Sequence, residues 1–418
     1  MRRQVILLCA AVRLCAQVPV ESVVSVPGGR LLYFHAEPQP AAQPRPVLVV
    51  LPAVPELSAV PAYWKEWQGR VASRSWLVVV PWGEFQTPGL WGDLFTKLLA
   101  ALVEDVPRRL PADTTRLYLA GEAGLASHVF YVASRAPHLV AAGLAIGGDP
   151  KRAIETNRLF GANTRLSPVL WLVERSGSPL LERERRRLQA AQYNFELRPL
   201  EQTPLENALE WLARHSRDPF PEEVDCETGN PDFARCHWLE ITRFDASQRN
   251  DVLRSTRVQP GAGGYLDLGG FGYDPSAPEP GVRVVWLPPD YKGPLKLGDR
   301  IVSVGGRAIK DAQDYLTMMD EAEEKPAAVI VERGKERLRL ETRILVARRE
   351  ETATARVQGR FLADTREILV VTRGVGELKM QVPPQWAPAR VNWNGNDLGS
   401  AERPGCWIIA LPAARPCP

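Results

Sequence analysis

The sequence predicts a multi-domain chain, with a doubly wound α/β unit first and two β-rich units after it. Three observations predict it. Uniformly apolar runs alternate with amphipathic stretches through the first half, the pattern of a parallel sheet covered on both faces. A glycine-punctuated stretch with a single amphipathic helix follows, at about 258–348. Short strands separated by turn residues fill the remainder. At 418 residues the chain is long enough to bury several cores, and 45% hydrophobic with 24% charged residues is ordinary for folded domains.

In chain order, "MRRQVILLCAAVRLCAQ" has two arginines, the short apolar run Val5–Val12 and a small-residue exit at Ala16. That is the form of a secretory signal peptide over residues 1–16, because the run is too short to span a bilayer. The expected location is therefore periplasmic or extracellular. Without those residues, which carry three arginines and no acid, 49 basic and 49 acidic residues remain. No basic field is left for nucleic acid, and no later segment is long and apolar enough for a membrane span.

Residues 17–222 read as the α/β unit. A hairpin turns at Pro27-Gly28-Gly29, and the apolar strands are "VLVVLP" (Val47–Pro52), "WLVVVP" (Trp76–Pro81) and "RLYLAG" (Arg116–Gly121). Phe95, Leu98, Leu99, Leu102 and Val103 form one helical stripe between them. "AAGLAIGG" and "SPVLWLVE" add two strands, and "NALEWLARHS" closes with a helix.

"LAGEAGLASHVFYVASRAP" then carries a resemblance. It resembles the strand–elbow–helix of the α/β-hydrolases, in particular the secreted esterase, feruloyl-esterase and poly-hydroxyalkanoate-depolymerase-like branch. The resemblance implies a nucleophile at the elbow Gly121-Glu122-Ala123-Gly124, and the nucleophile position holds Ala123. Leu125 stands where the family has its second glycine. The orienting acid is expected in "RSGSP" (Arg175–Pro179), which has none, and the base in "EQTPLENALEW", which has no histidine. The oxyanion loop is Pro52-Ala53-Val54-Pro55, and proline has no N–H to donate. Glu122 is a substitute nucleophile only if the elbow slips by one residue. Ser127 and His128 are helix neighbours about 100° apart and cannot share a proton. The other mature histidines, His35, His138, His215 and His237, are scattered singly. The resemblance thus implies the fold and not the activity: a pseudoenzyme.

Residues 258–348 resemble a PDZ domain, on "GPLKLGDRIVSVGGRAIKDAQDYL" with Leu297, Gly298, Asp299, Ile301, Val302, Gly305 and Gly306. The resemblance implies a slot for an extended peptide between a strand and the helix carrying Ala312, Tyr315, Leu316 and Met319. Either Leu266-Asp267-Leu268 or Gly263-Gly264-Tyr265 occupies the place beside the incoming end, so the candidate strand is Gly264, Tyr265, Leu266, Asp267 and Leu268. A closed slot, packed against its neighbours, is the alternative.

Residues 349–418 resemble the small β-sandwich that follows the hydrolase unit in some secreted proteins, on "REILVVTRG" and "ARVNWNG". Residues 223–257 are expected to be a disulfide-bearing linker with the first sandwich strand, "HWLEITRF". That strand pairs beside 352–380 if the PDZ is inserted in the sandwich, and stands alone otherwise. Four cysteines pair locally in an oxidising compartment, Cys226 with Cys236 and Cys406 with Cys417. No metal site and no cofactor is expected, since neither a C-x-x-C pair nor a histidine cluster accompanies them.

The fold class expected is an α/β doubly wound hydrolase-like sheet plus a PDZ domain (β-rich with helices) plus a β-sandwich. The expected work is binding a peptide or protein. The alternatives are an active esterase or peptidase on unusual residues, and a carbohydrate binder whose cleft is rimmed by Trp64, Trp67, Trp82 and Trp91.

Overall fold

A computed structural model describes residues 18–38, 41–83, 92–174, 179–250, 252–261, 263–346 and 352–418. The expected signal peptide, the segment Arg175–Ser178 and Trp91 lie outside the described residues. Among the described residues no helix is long and apolar enough to cross a membrane.

The first unit is an eight-stranded sheet. Its strands are β1 (Val20–Val26), β2 (Gly29–His35), β3 (Arg45–Leu51), β4 (Leu77–Gly83), β5 (Ala112–Glu122), β6 (Ala142–Ile146), β7 (Val169–Val173) and β8 (Phe195–Pro199). The order is β1-β2-β4-β3-β5-β6-β7-β8. Strands β4 to β8 and β3 run parallel, and the β1–β2 hairpin joins β4 antiparallel. The helices are α1 (Val60–Arg70), α2 (Asp93–Arg109), α3 (Ala126–Arg135), α4 (Lys151–Glu155), α5 (Pro179–Ala190) and α6 (Leu205–Ala213). Buried side chains of α2, α3, α4 and α5 share one core with one face of the sheet. Those of α1 and α6 share the other. This is a hydrolase-like α/β sheet. The stripe of Phe95, Leu98, Leu99 and Leu102 is buried, which is what sets α2 on the sheet.

The rest of the chain is β-rich. Strands β9 (Glu223–Thr228), β10 (Arg235–Cys236) and β11 (Leu239–Phe244) come first. A seven-stranded sheet follows: β12 (Gly264–Leu266), β13 (Gly272–Asp274), β14 (Val282–Trp286), β15 (Arg300–Val304), β16 (Arg307–Ala308), β17 (Lys325–Arg333) and β18 (Glu336–Val346), with α7 (Ala312–Asp320). Its order is β12-β18-β17-β15-β14-β13, with β16 on β15. Last come β19 (Ala355–Leu362), β20 (Glu367–Arg373), β21 (Val375–Val382), β22 (Ala389–Trp393), β23 (Asn396–Ala401), β24 (Gly405–Ala410) and β25 (Ala413–Pro416).

These last strands join the earlier ones in two five-stranded sheets, β10-β11-β21-β24-β25 and β23-β22-β20-β19-β9, around one core. Strand β11 pairs with β21, Leu239 opposite Met380, and β9 pairs with β19, Cys226 opposite Val357. The seven-stranded sheet therefore lies, in the chain, between strands of one pair of sheets. Residues 223–257 are more than a linker with one strand, because they supply strands to both sheets. The cysteines are bonded, Cys226 to Cys236 with Cα atoms 6.2 Å apart and Cys406 to Cys417 at 5.3 Å. The first bond ties β9 to β10, and so one sheet to the other.

The units meet through buried polar contacts. Asn163 donates to Glu227 O (2.9 Å) and to Ser134 O, and accepts from Glu227 N (2.7 Å). Asp320, at the end of α7, takes Arg187 of α5 at 2.6 Å and Arg183 at 3.6 Å. Glu184, almost fully buried, takes the same two arginines from below.

Candidate functional site

The elbow forms where the motif places it. Strand β5 ends at Glu122, a single turn covers Ala123–Leu125, and α3 begins at Ala126. Ala123 has φ +49°, a conformation that costs a residue with a side chain on the order of 1 kcal/mol. Two glycines make so sharp a turn possible. A Cβ on Gly121 would lie 2.6 Å from Leu125 O, and one on Gly148, after β6, would lie 1.9 Å from Ala123 O. The backbone thus keeps the strained geometry that presents a nucleophile, and presents an exposed methyl group. Gly124 packs against nothing within 4 Å of an added Cβ.

Glu122 faces α1 and not the apex. Its Oε2 accepts a 2.8 Å hydrogen bond from the Tyr63 hydroxyl, and its Oε1 lies 3.7 Å from Arg70 Nη1. Tyr63 also meets the backbone of Ala53, which with Val54 carries the two N–H groups of the Pro52–Pro55 loop. Burial first, and then the Glu122 carboxylate, push the Tyr63 phenol well above its ordinary value, so it stays protonated. Arg70 stacks over the Trp67 ring at 4.7 Å. The carboxylate that an elbow slip would recruit is already bonded.

No histidine is brought to Ala123. His128 is buried in α3, edge-on to Phe95, and burial pushes it down to about 3. Ser127, its neighbour, accepts from Ala153 N at 2.9 Å. A serine–histidine contact does exist elsewhere: Ser22 Oγ lies 3.0 Å from His35 Nε2. His35 Nδ1 sits 2.7 Å from Ala36 O, which makes Nδ1 the donor and Nε2 the acceptor of the serine proton. Both residues are buried in the β1–β2 hairpin, and β4 and β3 stand between that hairpin and β5. The tryptophans divide as well. Trp64 and Trp67 are fully buried core, so neither rims a cleft, while Trp82 is half-buried.

In the seven-stranded sheet β12 and β13 are the two end strands, and the expected strand is the one packed against the end of α7. Gly264, Tyr265 and Leu266 form β12, paired along β18, and a Cβ on Gly264 would meet Met319 O at 2.5 Å. Asp267 N donates to Arg343 O, and Leu268 is 3% exposed within the core, not on an edge. Neither proposed register therefore faces a slot. Ala312, Tyr315 and Met319 are buried with Leu268 and Val282, and only Leu316 of the four helix positions is half-exposed. The edge across from α7 is β13, at the far end of the sheet order, with the Tyr273 ring 5.3 Å from Tyr315 in a T-shaped contact. Two left-handed glycines, Gly269 (φ +81°) and Gly270 (φ +79°), turn the chain just before it.

Among the described residues no group of three or more metal-ligating side chains occurs. No protein-family model matches the chain, and no curated protein matches it significantly. Solved structures give likenesses over about half of it. A thermostable esterase is 15% identical at a TM-score of 0.35, covering 48% of this chain and 63% of its own. A putative dienelactone hydrolase from Klebsiella pneumoniae is 20% identical at 0.32, covering 47% and 96%. Porphyromonas gingivalis dipeptidyl peptidase 4 is 12% identical at 0.37, covering 48% and 36%. Scores this low add no weight to what the strand order and the elbow display.

Proposed function

We propose that the α/β unit is a hydrolase-derived scaffold without hydrolytic chemistry, and that the chain works outside the cytoplasm as a binding protein. One observation carries the reading: the exposed apex of a fully formed elbow, at φ +49°, is Ala123. Acyl transfer needs an attacking atom, a base to take its proton and donors for the developing oxyanion. Ala123 supplies no attacking atom. The loop that would hold the base, around Leu200–Gln202, has no histidine, and the Ala53 side of the oxyanion site is taken by Tyr63. The test is turnover of short-chain p-nitrophenyl esters by the purified protein. The reading expects none above buffer, and turnover abolished by one substitution in the α/β unit contradicts it.

In this reading the seven-stranded unit is a PDZ module carried within a β-sandwich, and its peptide edge is β13. Support comes from the outer side of β13, which has no partner strand among the described residues, and from the glycine turn before it. Tyr273, packed on Tyr315, narrows the slot and selects for thin, extended segments. Selection from a displayed-peptide library should give a consensus that Tyr273→Asp abolishes, and no enrichment over a blank surface would end this part of the reading.

A further inference from the structure

Three cavities adjoin where the α/β unit, residues 246–250 and 252–259 and the paired sheets meet. Their volumes are about 500, 360 and 150 Å³, and Arg257 lines all three. Among the described residues eight arginines line them, with no aspartate or glutamate. Most other polar groups of the walls are serine, threonine, asparagine and glutamine, which can all donate hydrogen bonds.

The arginines form two sets. Five are held from beneath by carboxylates that do not reach the cavity walls: Arg373 on Glu227 (2.9 Å), Arg135 and Arg158 on Asp93 (3.1 and 2.9 Å), and Arg356 on Asp225 (2.6 Å), with Arg187 on Glu184 and Asp320. Glu227 is completely buried and also accepts from Ser255, Thr256 and Thr354, so the floor is fixed by one carboxylate with five donors. Arg249, Arg254 and Arg257 form the second set and make no ion pair among the described residues. Arg257 is nevertheless positioned, with Nη2 donating to Thr352 O at 2.6 Å and the guanidinium over the Phe160 ring.

Three guanidiniums that make no ion pair among the described residues therefore face a cleft whose other described polar groups are neutral and able to donate. Cations converging on one recess raise the local potential for an anion, and the size is that of a small-molecule site. We propose that this junction cleft binds a small, multiply charged oxyanion, such as a phosphate chain or a polycarboxylate, with Arg257 at its centre and Arg249 and Arg254 at its rim. A charge-assisted guanidinium contact supplies the affinity and its planar fork the orientation.

Isothermal titration of the full chain with tripolyphosphate and with citrate, in low-salt buffer, tests this. Saturable binding of either is expected; tripolyphosphate alone assigns the site to phosphates and citrate alone to carboxylates. Arg257→Gln should weaken it about ten-fold or more, and Arg249→Gln by roughly three-fold or more. The Arg249 side chain makes no hydrogen bond among the described residues, so that variant leaves the fold unchanged. Arg403→Gln, an exposed arginine away from the cleft, should bind as the wild type does. No saturable binding below about 1 mM would overturn the proposal. So would equal weakening by Arg403→Gln and Arg257→Gln.

Discussion

Lowering the pH from 8 to 5 should destabilise this protein through its buried histidines, chiefly three, with His35 also lowered by burial and acting in the same direction. Burial pushes His128 and His138 down to about 3 and His237 down to about 4, with Arg152 adding to the first and Arg235 and Arg217 acting on the other two. In the unfolded chain each returns to about 6.5. As the pH falls through that value the unfolded state takes up protons that the folded state refuses, so the folded state loses ground until its own lower value is reached. At pH 5 the interval is about 1.5 pH units, or about 2 kcal/mol for each histidine, and about 6 kcal/mol for the three. The sum depends on the folded values only in that they lie below 5. The carboxylates held low, Asp105, Asp113 and Asp299, lose their contribution only in stronger acid, so the window isolates the histidines. A loss of about 6 kcal/mol is comparable to the whole stability of many domains. Urea unfolding at pH 8, 6.5 and 5, followed by tryptophan fluorescence, measures it. His128→Gln should remove about 2 kcal/mol of the pH dependence, a third or less of the whole. Stability that changes by less than about 1 kcal/mol between pH 8 and 5 would refute the argument.

Other consequences follow from particular contacts. Gly148→Ala forces a methyl group to within 1.9 Å of Ala123 O and should cost about 2–3 kcal/mol, read as a drop in the melting temperature, whereas an unchanged midpoint would mean that the elbow is looser than described. Replacing Cys226 and Cys236 by serine opens a loop of sequence separation 10 and should cost about 2–3 kcal/mol; peptide mapping without reduction reports the bond itself, and free thiols at both positions would contradict the pairing. Asp320→Asn leaves Arg183 and Arg187 short of a partner at the α5–α7 contact and should speed proteolysis between the α/β unit and the seven-stranded unit, while an unchanged cleavage rate would show that the contact does not hold them.

Much of the α/β unit was legible because its parallel strands are apolar on both faces. The runs at Val47, Trp76 and Arg116 are β3, β4 and β5, and the glycine at 121 already announced the elbow. Strand β9 was missed for the opposite reason. Its "EVDCET" reads as a polar surface segment, yet Glu227 is 1% exposed and Asp225 is paired with Arg356, so the carboxylates sit inward on arginines far away in sequence. The candidate strand beside α7 rested on Leu266 and Leu268, which alternate as an edge strand would. Both leucines are core, and the other end strand, β13, bears glycine and tyrosine, which apolar periodicity does not mark. The arginine-lined cleft left no local signal, since its residues come from seven separate stretches of the chain.

The central claim is that the whole catalytic constellation is missing, and not the serine alone. Fluorophosphonate labelling of the wild type beside Ala123→Ser tests it most directly. The substitution puts a hydroxyl at the apex of an elbow already at φ +49°, with no histidine beside it to take its proton and Tyr63 against Ala53. The account predicts that neither protein labels above a denatured control. Rapid stoichiometric labelling of Ala123→Ser would show that a base and an oxyanion site survive around the elbow, and labelling of the wild type at any residue of the α/β unit would contradict the account outright.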